Sequence, residues 1–95
     1  MPTIPLELMD SQLGRFYVTR NAASRLHQKD AMKCLERHMI GDYGDIDDVD
    51  WKTNDAARAH GFPVVSAYFD RRNNRFIIIT EPDRAATTIM LPEEY

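Results

Sequence analysis

The last third of the chain, FPVVSAYFDRRNNRFIIITEPDRAATTIMLPEEY, holds three apolar runs split by two turn-rich breaks, one centred on Asn73-Asn74 and one on Pro82-Asp83. Short runs rich in β-branched and aromatic residues, bounded by Asn, Asp and Pro, are the pattern of strands joined by tight turns. The segment predicts a three-stranded antiparallel meander: Val64 to Phe69, Arg75 to Thr80 and Ala86 to Leu91. Phe76, Ile77, Ile78 and Ile79 are consecutive apolar residues, which requires burial on both faces and places the middle strand between neighbours. Side chains alternate along a strand, so Phe76 and Ile78 are expected on one face and Ile77 and Ile79 on the other.

A sheet of this kind needs a cover, and the preceding sequence supplies helices. Arg15 to Val18 (RFYV) is a further short strand, and Thr19 follows where an N-cap belongs, its hydroxyl able to accept from the free amides of the next turn. The helix it opens is expected to run to about His27, with Ala22, Ala23 and Leu26 on one face. A second helix is expected from Asp30 as N-cap through Met32, Leu35 and Met39, stopped by Gly41, with a corner at Gln28-Lys29. The stretch GDYGDIDDVD, Gly41 to Asp50, carries five aspartates and no basic residue. It reads as a loop leading into a third helix, with Asp47 or Asp48 as N-cap, Asp50 in the first turn where the helix dipole favours negative charge, and Gly61 just beyond His60.

Residues 1–13 form an extended N-terminal arm in this reading, and residues 14–95 a single α+β domain. Two or three short helices pack on a mostly antiparallel sheet of about four strands, ending in the C-terminal meander. If helices cover one face, the apolar second face needs another cover. Either the Pro2 to Leu8 arm lies across it or a second copy of the protein does, as a homodimer. With 95 residues, 43% of them hydrophobic and 28% charged, the chain has the composition of one small globular domain. Its single cysteine, Cys34, excludes an intrachain disulfide, and MPTIPLELMD has neither the basic start nor the apolar length of a signal peptide or membrane span, so the cytoplasm is the expected compartment. A formal net charge of -3 disfavours nucleic acid as a partner.

Candidate chemistry is sparse. Asp42, Asp45, Asp47, Asp48 and Asp50 could offer oxygen donors to a hard cation, but no glycine and closing glutamate stand where a calcium loop of the helix–loop–helix type needs them. Helix capping and solvation account for these aspartates without metal. A protein-binding surface built from Asp42, Tyr43, Asp45, Asp47 and Asp48 is the sharper reading, since charge beside an aromatic suits a partner. His27, His38 and His60 each fall near an expected helix C-terminus, where the dipole and free carbonyls explain them, and none has the i, i+4 partner of a zinc site. His38 with Arg37 beside it is the alternative catalytic pair, an acid–base group next to an anion stabiliser. Arg71, Arg72 and Arg75 surround the Asn73-Asn74 turn as a basic cluster, either a solvated hairpin tip or an RNA contact. Cys34, in a helix beside Lys33, reads as an inert thiol, and no phosphate loop, serine nucleophile motif or cysteine pair implies a cofactor.

The segments LGRFYVTRNAA, ERHMIGDYGDID and IIITEPDRAATTIMLPEEY resemble a group of small plasmid and mobile-element proteins of bacteria, over about residues 13 to 95. Some of that group carry the label of type I restriction methylation-subunit fragments. A DNA methyltransferase, however, needs a doubly wound domain and a cofactor loop that this length cannot hold. The group supplies no activity to carry over residue by residue; taken with the charge pattern of the acidic loop, the expectation is a small accessory protein of a mobile element that acts by binding another protein, without catalysis. The order of strand, helices and C-terminal antiparallel sheet is also similar to the RelE and colicin-like ribonuclease toxins, which gives an RNA-cutting toxin as the alternative.

Overall fold

One mixed sheet organises the chain, with two helices packed on one side of it and a third at its edge. The computed structural model describes residues 3–6, 15–82 and 85–95. Among these, β1 (Thr3–Leu6), β2 (Arg15–Thr19), β3 (Val64–Phe69), β4 (Arg75–Thr80) and β5 (Ala86–Met90) pair in the order β1-β2-β5-β4-β3. The ladders β1–β2, β4–β5 and β3–β4 are antiparallel, while β2 and β5 run parallel. The α+β class, the mostly antiparallel sheet and the C-terminal meander are those expected from the sequence, and β4 lies between two neighbours as its apolar run requires. The four strands from Arg15 onward are the expected ones.

Helices α1 (Arg20–Arg25), α2 (Gln28–Met39) and α3 (Asp48–His60) complete the fold. Thr19 caps α1 as expected, its hydroxyl accepting from Ala22 N at 3.1 Å. Asp47 caps α3 by accepting from Asp50 N, and Gly61 ends that helix in the left-handed region at φ 75°. The second helix departs from expectation. It begins at Gln28, with His27 at the N-cap making no side-chain cap, and the corner falls at Leu26–His27. Asp30 lies inside the first turn, because its carboxylate is engaged by Arg71 from the β3–β4 turn and is not available to cap.

Along α2 the buried residues Ala31, Cys34, Leu35 and His38 recur at three- and four-residue steps, which turns one stripe of the helix to the sheet. They pack with Ala22 and Leu26 of α1 against Phe16, Val18, Tyr68, Phe76, Ile78 and Ile89, all on the same sheet face. Helix α3 sits differently, at the outer edge of β3. Its Ala57 joins Tyr43 and Val64 in a second small core, with Ile46 and Trp51 packed against it. Asn54 of α3 closes that edge by donating to Val65 O at 2.7 Å and accepting from Val65 N at 3.1 Å.

Of the arm and the second copy expected to cover the other sheet face, the described part of the arm does not supply that cover. Thr3–Leu6 extends the sheet edge-on, pairing with β2 in the register Thr3↔Thr19 to Leu6↔Phe16, so this part of the arm does not cross the face. Backbone groups of an edge strand are satisfied by joining a ladder, which lying across side chains would not achieve. The rest of the expected arm, residues 1, 2 and 7–14, lies outside the described residues, as do residues 83 and 84 of the second turn.

Candidate functional site

The acidic stretch divides into a neutralised half and an open half. Asp42 accepts from Arg37 at 2.8 and 3.2 Å, a two-pronged contact, and also caps Gly44 N. Arg37, set by α2, lies over the Tyr68 ring at 4.9 Å to the centroid, and the Tyr68 hydroxyl donates to Asp42 O at 2.7 Å. The Arg37 hydrogen bonds hold the Asp42 carboxyl below its ordinary range against a smaller upward push from burial. Asp45 is paired with Arg75 of β4, whose guanidinium also lies 5.7 Å from the Phe69 ring. Arginines outside the stretch, Arg37 just before it and Arg75 far beyond it, therefore supply the positive charge that it lacks.

Asp47, Asp48 and Asp50 gather instead at the start of α3. Asp47 and Asp50 form the cap, and all three side chains face solvent. Between Asp48 and Asp50 in the sequence stands Val49, a large apolar side chain that is 73% exposed. Tyr43, expected beside the aspartates as a surface aromatic, is 0% exposed. Its ring meets Trp51 edge-on at 5.2 Å and its hydroxyl donates to Asp55 at 3.1 Å, so its work is in the α3 core. Among the described residues no three of His, Cys, Asp and Glu gather in a way that could hold a metal ion.

His38 and Arg37 do not converge on one surface. His38 is 2% exposed, with Nδ1 2.5 Å from Ser66 Oγ and Nε2 2.8 Å from Thr80 Oγ1, and Thr80 Oγ1 lies 2.8 Å from Thr87 Oγ1. The imidazole stitches α2 to hydroxyls on β3 and β4, and Thr80 passes the chain of hydroxyls on to β5. His38 lies in the last turn of α2 as expected, with its ring turned inward to these hydroxyls. His27 directly follows the C-cap of α1, as expected, and is at the same time the N-cap residue of α2. His60, exposed in the last turn of α3, also stands near a helix C-terminus as expected.

The basic cluster at the β3–β4 turn is largely consumed. Arg71 binds Asp30 through its backbone N–H at 2.8 Å and its guanidinium at 3.0 and 2.9 Å, so the tip is tied to α2. Those bonds from Arg71 hold Asp30 well below the usual carboxylate range. Arg75 is paired with Asp45, while Arg72 points its side chain to solvent. Asn73 takes the left-handed conformation at φ 62° that asparagine tolerates. A groove of about 330 Å³ beside this tip is lined by Lys33, Arg37, Phe69 and Arg71, with Cys34 at its wall. Burial pushes the Cys34 thiol up, which suits an inert side chain more than a nucleophile.

Asp70 is the residue that sequence reasoning passed over. It is a buried carboxylate that accepts from His27 N at 2.9 Å, Arg72 N at 3.0 Å and Asn74 N at 2.8 Å, and it orders the turn and the α1–α2 corner together. Its place before a charged turn was the available signal, since Asp at the first position of a turn accepts from the amides that follow. No family model, curated protein or solved structure matches the chain.

Proposed function

We propose that this chain is a non-catalytic accessory protein that binds another protein through the start of α3, with the mobile-element setting drawn from the sequence resemblance alone. One observation carries the reading: Val49 is 73% exposed between Asp48 and Asp50, on the half of the acidic stretch that Arg37 and Arg75 leave unneutralised. An apolar anchor flanked in sequence by like charges favours a partner with a basic rim around an apolar notch. The contact surface is then Asp47, Asp48, Val49 and Asp50, smaller than the one expected from the sequence and without Tyr43. The buried, doubly engaged imidazole of His38 and the ion pairs of Arg71 and Arg75 favour binding over RNA cleavage.

Capture from host lysate tests this with Asp48→Asn combined with Val49→Ser. Both positions are exposed and the capping Asp47 is untouched, so stability should move by no more than about 0.5 kcal/mol while a specific prey is lost. Identical prey for the two versions would overturn the surface. New RNA ends with growth arrest on induction would overturn the binding role itself.

A further inference from the structure

The groove beside the β3–β4 turn is open to solvent and lined from three elements. Lys33 and Arg37 stand one turn apart on α2, Arg71 comes from the turn, and Phe69, 48% exposed, comes from the end of β3. The side chains of Arg37 and Arg71 are 41% and 58% exposed, so the groove offers free charged surface. We propose that it seats a small organic anion through a single carboxylate group. This site is separate from the α3 surface and does not depend on it.

The hydrogen-bonding capacity that the chain leaves unfilled selects the ligand first. Two carboxylates line the groove, and both are occupied. Asp70 accepts from His27 N and Asn74 Nδ2 at one oxygen, and from Arg72 N and Asn74 N at the other. Asp30 accepts three times from Arg71. A carboxylate has about four acceptor sites, so little acceptor capacity remains. Donors are left in greater number. A guanidinium carries five N–H groups, of which Asp42 takes two on Arg37 and Asp30 takes two on Arg71. Lys33 makes no ion pair or hydrogen bond among the described residues. Surplus donors call for a group that only accepts, which an ionised carboxylate is.

Charge narrows the choice. Of the charged residues lining the groove, Lys33, Arg37 and Arg71 are cationic and Asp30 and Asp70 anionic, an excess of one positive charge. A second negative charge on the ligand would meet Asp30, Asp70 and the Asp42 that Arg37 binds, with no cation left to answer it. One carboxylate fits, and a phosphate dianion does not. The ion pairs that keep these arginines from serving as an RNA track also hold their guanidinia in place, so little side-chain freedom is lost when a ligand arrives.

Size sets the rest. A volume of about 330 Å³ lies at the small end of ligand pockets, which run from about 300 to 1,000 Å³. It has room for a carboxylate on a body the size of one ring, with Phe69 and Cys34 as the uncharged lining. Because the groove is open and its charges are screened by water and salt, the dissociation constant should be about millimolar.

Amide chemical shifts of the full chain, followed by NMR during titration with sodium benzoate at constant ionic strength, test this. Amides of Lys33 to Arg37 and Phe69 to Arg71 should shift saturably, and benzamide, which lacks the charge, should not move them. Lys33→Gln should bind benzoate at least about threefold more weakly at an unchanged melting temperature, and Lys33→Glu should not bind it. Arg72→Gln removes the same charge from the same turn but outside the groove, so it should bind as the wild type does, as should Asp48→Asn with Val49→Ser. Inorganic phosphate should bind no more tightly than benzoate. Shifts that fail to saturate, benzamide acting as benzoate does, or Lys33→Gln binding unchanged would each overturn the site. Equal losses in Arg72→Gln and Lys33→Gln would reduce the effect to net charge and overturn it too, and tighter binding of phosphate would overturn the carboxylate as the ligand class.

Discussion

A carboxylate survives burial only where other donors replace its water, and Asp70 is the residue on which that rule bears most here. Burial pushes its carboxyl up, but amide donors from His27, Asn74 and Arg72 together outweigh that push and hold it below the ordinary value. Removing the acceptor leaves buried N–H groups unpaired. Asp70→Ala should therefore cost about 3 kcal/mol in urea unfolding, and Asp70→Asn less, since its carbonyl oxygen still accepts. A loss under about 1 kcal/mol for the alanine variant would show that water replaces the carboxylate. At this scale the sequence was only partly legible. Asn73 announced its left-handed turn and Thr19 its cap, because both act on their immediate neighbours. Asp70 and His38 act across the fold, on His27 N and on Ser66 and Thr80, and no local pattern records a partner that the chain brings back from so far away.

Among the elements, what local chemistry decides was readable and what pairing decides was not. The bounds of α3, β3 and β4 follow from caps, turns and hydrophobic runs. The parallel contact of β2 with β5 and the docking of α3 on the β3 edge follow from tertiary closure, which a hydrophobic period does not encode. That docking depends on Gly44, where the acidic loop crosses β3. Gly44 has φ 72°, and a Cβ there would stand 2.2 Å from Ala67 O and 2.5 Å from Tyr68 Cδ1. Gly61 has nearly the same backbone, φ 75°, but its Cβ would meet only Pro82 O at 3.4 Å. The two positions separate strain from clash. Gly61→Ala should cost about 1 kcal/mol for the left-handed backbone alone, and Gly44→Ala at least about 2 kcal/mol more, because loop and strand must part. Equal costs in thermal or urea unfolding would mean that the Gly44 bridge contributes nothing to the edge.

Across the whole molecule, carboxylates tie elements together: Asp30 joins α2 to the β3–β4 turn, Asp42 joins the loop to α2, Asp70 orders the corner, and Glu94 accepts from Thr19 and Leu91 N to hold the C-terminus on α1. All four are held below their ordinary values. For Asp30 and Asp42 the leading cause is the arginine side-chain hydrogen bond; for Asp70 and Glu94 burial acts upward first and hydrogen bonds more than reverse it. The sign of the pH dependence follows. Each group is depressed in the folded state, so its contribution is complete above the ordinary values of 3.8 for Asp and 4.5 for Glu, and is lost as acid protonates the unfolded chain first. Stability measured by urea unfolding at fixed protein concentration should be level from neutral pH to about 5 and then fall steadily. Salt separates the contributors. The Arg37–Asp42 pair is about two-fifths exposed on each side and should be screened, whereas the amide cradle of Asp70 is buried and should not be. Molar sodium chloride should thus flatten part of the acid limb in the wild type, and Asp70→Asn should flatten the part that salt leaves. An acid limb that vanished entirely in salt would show that exposed pairs alone set the pH response and that the buried carboxylate does not; one that rose on acidification would overturn the sign for all four.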